Sequence, residues 1–310
     1  MRLKTVKDIA AERREGKSIY KNASVLTPIK QVKDDGIFRG TDNAYSKMLR
    51  FSDLNYSILT NKEKETFLED WCEIINSFTP GATYKISIVK HKMNSASFKE
   101  DVLLPLGEDE LSFFRSCYNN MLKSKAANTN FIRQELLLTI SSGGKSYESA
   151  KVFLNRSANE IIAKMKSLGS IAEEIGTKER LSLFYDLYHI GDESSFDMID
   201  VDKVVNRGSH VREAIMPFSV EHDKDYTKIG DKYARTMYFS PVHYPTYLKD
   251  DIFSDLCSIN KTMVITFDLV PLLMEEAIKL VDNISLGLET DVAGWQRRQN
   301  ANNNFSAVLP

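Results

Sequence analysis

The sequence predicts an α+β fold, and three observations carry that expectation. Tyr84, Ile86 and Ile88 alternate with Lys85 and Ser87, the period of two of a half-buried strand. Leu154, Ala158, Ile161, Met165 and Leu168 recur at three- and four-residue steps, the spacing of one helix face. Strand-like and helix-like segments then succeed one another up to residue 190 with turn residues between them.

The elements follow in order. Residues 1–35 read as a polar N-terminal arm, in which Arg2, Lys4, Lys7, Arg13, Arg14, Lys17 and Lys21 outnumber Asp8, Glu12 and Glu15. Gly36 to Asn43 reads as a strand running into a turn, and Ala44 to Tyr56 as a second extended stretch. Thr60 with Glu63 forms a capping-box signature that opens a helix, whose face carries Phe67, Trp71, Ile74, Ile75 and Phe78 and which stops at Pro80-Gly81. After the Tyr84 strand, a further helix carries Leu111, Phe114, Tyr118, Met121 and Leu122 on one face. Arg133 to Ile140 is an apolar strand, and the long helix of Leu154 follows it, closed by Gly169. A short strand, Ser170 to Ile175, precedes a Thr177-capped helix with Leu181, Phe184, Tyr185 and Tyr188.

With the helix of Leu111 set aside as an insertion, the order is that of a ferredoxin-like split βαβ unit over residues 36–190. Residues 191–232 read as a linker or long excursion, rich in Ser, Asp and Gly. Residues 233–310 predict a second, smaller α/β unit: Tyr233 to Phe239, a helix around Tyr247 to Ile259, the strand Met263 to Leu269, and a last helix with Ala277, Leu280, Val281, Ile284 and Leu288.

Composition narrows the class. Apolar residues make up 42% of 310 and charged residues 27%, enough apolar material for a packed core. A net charge of −2 supplies no global drive toward nucleic acid. Cys72, Cys117 and Cys257 are scattered, odd in number and set in helical patterns, which predicts free thiols acting as small hydrophobes. The first twenty residues hold no apolar signal core, and Met263 to Met274 is too short to span a bilayer.

Four stretches resemble one family when taken together: Ala44-Tyr-Ser-Lys-Met-Leu-Arg-Phe-Ser-Asp-Leu-Asn-Tyr56, Thr177-Lys-Glu-Arg-Leu181, Met263-Val-Ile-Thr-Phe-Asp268, and Trp295-Gln-Arg-Arg-Gln-Asn-Ala-Asn-Asn-Asn304. They are similar to the N-terminal region of CagE/TrbE/VirB-type conjugal transfer ATPases of type IV secretion, in the form found on conjugative elements of Gram-positive bacteria. The resemblance implies a docking and regulatory region at the cytoplasmic face of the membrane, binding inner-membrane components of a secretion channel. It also implies a homo-oligomer in the full-length protein, and a C-terminal RecA-like ATPase domain, absent from this sequence, to which ATP and Mg²⁺ belong.

Within this segment the expected catalytic, cofactor and metal residues are none. Gly143-Gly144-Lys145-Ser146 follows a strand and precedes a helix, but Thr139 stands where a phosphate-binding loop needs its first glycine. A tight turn and a Ser146 helix cap explain the same residues. None of His91, His189, His210, His222 and His243 has a metal-binding spacing. His189 reads as a helix terminus, and His222 with Asp223 and Asp225 as a polar turn. Glu173, Glu174 and Glu179, like Asp250 and Asp251, read as acids at helix starts, and Tyr233, Arg235, Tyr238 and Phe239 as strand residues turned to a core. Trp295, Arg297 and Arg298 are the candidate contact for a partner or for DNA. The alternative to docking is a nucleic-acid-binding module of a mobile element.

Overall fold

The computed structural model describes residues 28–54, 56–92, 98–99, 102–128, 132–144, 146–190, 201, 205, 211, 215–217, 219–238, 252–283, 285–286 and 295–296. Over these the chain is α+β. The first strands are β1 (Ile29–Val32), β2 (Phe38–Gly40) and β3 (Ala44–Phe51), followed by α1 (Asn61–Asn76) and β4 (Ala82–Lys92). Then come α2 (Ser112–Asn128), β5 (Ile132–Gly143), α3 (Tyr147–Ser167), β6 (Ala172–Glu174) and α4 (Thr177–Tyr188). The remainder holds β7 (Val220–His222), β8 (Thr227–Ile229), β9 (Lys232–Ala234), α5 (Ile252–Ser258) and β10 (Met263–Leu269).

Seven strands make one antiparallel sheet in the order β1-β2-β3-β5-β4-β10, with β6 also paired to β3. β2 and β6 divide one edge of β3 between them, β2 at Tyr45 and Ser46, β6 at Leu49 to Phe51. β5 occupies the whole of the other edge, from Ala44 to Phe51. The strand neighbours therefore run β6, β3, β5, β4, with α1 joining β3 to β4 and α3 joining β5 to β6.

The period-two pattern gives the sheet two apolar faces. On the first, Tyr45, Leu49, Leu138, Ile140 and Tyr84 meet Ile74 and Phe78 near the end of α1 and the stripe Ala150, Leu154, Ala158, Ile161 and Met165 of α3. Leu154 and Ala158 are completely buried, and a side chain of leucine size at such a site contributes about 1.5–3 kcal/mol through its burial. The helix ends follow from local chemistry. Thr60 and Glu63 close the expected capping box on α1, and Ser146 caps α3 by accepting from the Ser149 N–H at 3.3 Å. Gly169 at φ +91° lets Ser170 N donate back to Met165 O, ending α3 in a Schellman turn. Phe78 stacks on Tyr84 with centroids 3.9 Å apart, and the Tyr84 hydroxyl accepts from Thr79 N at 3.0 Å, fixing the turn into β4.

The second face is covered by α4. Leu183 and Leu187 pack on Met48, Val89, Leu137 and Ile175. Leu181 and Phe184 continue onto Ile29, Val32 and Phe38 of the β1–β2 hairpin. Thr177 does not cap this helix: Gly176 holds the cap position with no side-chain bond. The Thr177 hydroxyl instead accepts from Gly36 N at 2.9 Å and donates to Lys33 O at 2.5 Å, tying the β1–β2 turn to α4.

Other sequence expectations are corrected. β1 lies inside the stretch expected to be a polar arm; its two buried residues, Ile29 and Val32, are too few to set a period, and the register slips between Ile29 and Gln31. The expected excursion 191–232 holds β7 and β8, which with β9 form a small antiparallel sheet. Strands of three residues are too short to show alternation. Met263–Leu269, expected in a unit beginning at residue 233, pairs with β4 over its whole length and so extends the main sheet. The apolar stripe of α2 faces solvent: Leu111, Phe114, Tyr118 and Met121 are all exposed.

Candidate functional site

β10 is an edge strand of the main sheet. Seven residues pair with β4 without a bulge, from Met263 opposite Lys90 to Leu269 opposite Tyr84. Among the described residues no strand or backbone donor pairs with its outer side. A regular edge with a single charge, Asp268, presents free backbone donors and acceptors to any extended segment. The strand is held from the inside. Phe267 meets Phe253 of α5 edge-on at 5.0 Å, and the buried Lys90 ammonium donates to Ile259 O at 2.6 Å and also to Cys257 O, closing the end of α5. Beyond the strand the exposed apolar residues continue through Val270, Leu272, Leu273 and Met274 to Ile278 and Val281, the last two in helical residues 274–283.

A buried polar network lies on the α4 face of the sheet, and no motif announced it. Glu135 of β5 is buried and accepts from Arg50 Nη2 at 2.9 Å and from Arg133 Nε at 3.0 Å. His91 Nε2 lies 3.4 Å from Oε1, the oxygen Arg133 binds, while His91 Nδ1 is buried with no partner among the described residues. Burial pushes the Glu135 carboxyl up, but the His91 hydrogen bond and the Arg50 and Arg133 charges outweigh it and bring it down to about 2. Arg50 also binds Glu179 and, at 3.5 Å, Glu173. Burial pushes the Asp186 carboxyl of α4 up, and His91, Glu135 and His189 are the titratable groups around it. Charged residues at alternate positions of an otherwise apolar strand, Arg133 and Glu135, are the one sequence signal that could have found this cluster.

A cleft of about 470 Å³ lies between β1 and the start of α3, lined by Gln31, Lys33, Asp34, Asp35, Tyr147 and Lys151 among others. The Tyr147 hydroxyl donates to Asp35 Oδ2 at 2.6 Å, and Lys151 Nζ lies 2.9 Å from the same oxygen. Burial and then the Asp35 bond push Tyr147 up to about 12. Lys33 lies over the Tyr147 ring at 4.8 Å. The aromatic ring, the carboxylate and the lysines thus satisfy one another across the cleft.

The residues nominated from sequence scatter. Gly143 ends β5, Gly144 makes a close approach in which a Cβ would stand 2.9 Å from that of Ala150, and Ser146 caps α3; Lys145 lies outside the described residues. Glu174 pairs with the buried Lys47 at 2.6 Å, while Glu173 and Glu179 pair with Arg50. His189 caps α4 and its Nδ1 lies 3.0 Å from Tyr185 O, and His222 Nδ1 lies 3.0 Å from Thr227 Oγ1. Cys72 and Cys117 are exposed, contrary to the expectation of small core hydrophobes, because α1 and α2 turn those positions outward. Tyr233 of β9 and Tyr238 beyond it are exposed as well, at 69% and 83%, and neither belongs to a core cluster among the described residues. Trp295 is exposed, whereas Arg297, Arg298, His210, His243, Phe239, Asp250 and Asp251 lie outside the described residues.

Among the described residues no three His, Cys, Asp or Glu side chains are grouped to hold a metal ion. No helix among them is long and apolar enough to cross a membrane. No protein-family model matches the chain, and no curated protein matches it.

Proposed function

We propose that this chain is a protein-docking and regulatory region, the N-terminal part of an ATPase of conjugative type IV secretion, which links a separate motor domain to membrane-bound channel components. The observation that carries docking is the open, regular edge of β10 with the exposed apolar run after it. Such an edge offers backbone hydrogen bonds for affinity and alternate side-chain positions for selectivity. The neighbour order β6, β3, β5, β4, with α1 and α3 as crossovers and α2 inserted between β4 and β5, supports the ferredoxin-like unit expected from the order of elements. In this reading the segment is not itself an enzyme, and its place is the cytoplasmic face of the cell membrane.

The test has two arms. Phosphate release from ATP by the purified chain is expected at background, and turnover abolished by Lys145→Ala would overturn the non-catalytic assignment. Co-purification with the inner-membrane channel proteins of its own conjugative element is expected to fall at least ~10-fold in Val264→Lys, which puts a charge on the exposed face of the edge strand. Undiminished binding would remove the β10 edge as the docking site. Binding of single-stranded DNA that weakens steeply with salt would favour a nucleic-acid module instead.

A further inference from the structure

Helix α2 is turned the wrong way round for a helix that serves only its own chain. Its buried residue is polar: Asn119 accepts from Leu104 N at 2.9 Å and donates to Leu104 O at 2.8 Å. Its outward side carries Phe113, Phe114, Tyr118 and Met121, exposed by 71%, 66%, 48% and 43%, with the exposed Cys117 among them. Phe113, Cys117 and Met121 follow one another at four-residue steps, and Phe114 and Tyr118 run beside them, so these side chains form one stripe. Phe113 and Phe114 already pack edge-on to each other at 5.7 Å. Contiguous aromatic surface of this kind on an ordered helix marks a contact with another molecule.

The charges along α2 indicate which molecule. Glu108, Asp109 and Glu110 precede the helix, Asp109 already holding Arg115 at 2.7 Å, while Lys123 and Lys125 stand toward its other end. The apolar stripe lies between them and is centred on Cys117. An antiparallel copy of the same helix, related by a two-fold axis at Cys117, sets Phe113 against Met121 and the acidic end against the basic end, twice over. A parallel copy would oppose acid to acid and base to base. We propose that α2 is a self-association helix, through which two copies of this chain pair antiparallel about Cys117.

This contact uses a surface remote in the chain from β10, so it stands or falls apart from the docking assignment. In the Cys72→Ser, Cys257→Ser background the remaining thiol is Cys117. A short bismaleimide is expected to convert that protein to a covalent dimer, and sedimentation equilibrium to give about twice 35.3 kDa. Phe114→Lys is expected to weaken the dimer at least ~10-fold, a large effect for one interface side chain. Phe114 is exposed, so circular dichroism and the unfolding midpoint of Phe114→Lys should stay at those of the same background without it. A monomer up to ~100 µM, well above the Kd range of stable specific contacts, would overturn the proposal. So would a dimer indifferent to Phe114→Lys, or one that Cys117 cannot cross-link.

Discussion

Arg50 Nη2 donates to Glu135 Oε2 at 2.9 Å across the β3–β5 pairing, and the carboxyl that receives it is almost wholly buried. Removing that acid would take from Arg50, Arg133 and His91 the one buried carboxylate they share, leaving Arg50 to the exposed Glu173 and Glu179. Glu135→Gln is therefore expected to cost on the order of 3 kcal/mol in urea unfolding at pH 7. The carboxyl sits at about 2 in the fold against an ordinary 4.5, so its stabilisation is complete above 4.5 and is lost as pH falls from there toward 2. The gap between wild type and Glu135→Gln should shrink over that interval. A gap that is constant with pH would show that Glu135 contributes through packing and not through charge.

Arg180 is a buried cation with no carboxylate partner among the described residues. Its guanidinium donates to Gly36 O at 3.0 Å, Ser46 O at 2.8 Å and Ser46 Oγ at 2.8 Å, and stacks over Phe38 at 4.2 Å. Burial alone pushes it down to about 9, which still leaves it protonated at neutral pH. Arg180→Met keeps the length and loses every donor, leaving two buried carbonyls unmet. A loss of about 2–4 kcal/mol is expected. Arg180→Lys should recover only part of it, since one ammonium cannot reproduce the planar fork. Equal stability of Met and wild type would show that Phe38 packing is all the site needs.

Gly36 and Gly81 both have positive φ, +77° and +88°, but only Gly36 is hemmed in. A Cβ there would stand 2.6 Å from Ile175 O, whereas at Gly81 it would meet open space. Gly81→Ala is expected to cost about 1 kcal/mol of backbone strain. Gly36→Ala should cost at least ~2 kcal/mol more, because the hairpin turn held by Thr177 must also move. Matching unfolding midpoints for the two variants would mean that the β1–β2 turn shifts freely.

What was legible in the sequence follows from length and periodicity. α1, α3, β4 and β5 each run long enough for their spacing to repeat, and their buried residues, such as Ile74, Leu154 and Tyr84, are the apolar ones that spacing picks out. β1 and the meander of β7 to β9 were not legible, since three or four residues cannot establish a period. The joining of β10 to β4 is a contact between residues far apart in the chain, and no local pattern encodes it. Thr177 was misleading because its hydroxyl serves the Gly36 turn, a partner visible only after folding. The Glu135 network was hidden for the same reason: Arg50, His91 and Glu135 come from three strands. Amphipathicity marked the stripe of α2 correctly, yet it could not say whether the apolar side faces inward.

Tyr147 offers a spectroscopic check on the cleft beside β1. Its hydroxyl donates to Asp35 at 2.6 Å, and burial with that bond pushes its ionisation up to about 12 from an ordinary 10. The protonated phenol is the form the fold prefers, so the stabilisation is complete below 10 and is lost as pH rises through 12. Tyr188 and Tyr226 are pushed up as well, by burial and by Asp223 respectively, so ultraviolet titration of the folded protein should show fewer tyrosines ionising near 10 than the same titration in urea, and Tyr147→Phe should shrink that difference by one tyrosine. The same variant frees the Asp35 carboxyl of one hydrogen bond while leaving Lys151 at 2.9 Å. Asp35, which burial pushes up and the bonds from Tyr147 and Lys151 bring below its usual range, should then titrate higher. If Asp35 is unmoved in Tyr147→Phe, as followed by the carboxyl carbon chemical shift, the lysine alone sets its ionisation and the tyrosine is a bystander to the charge.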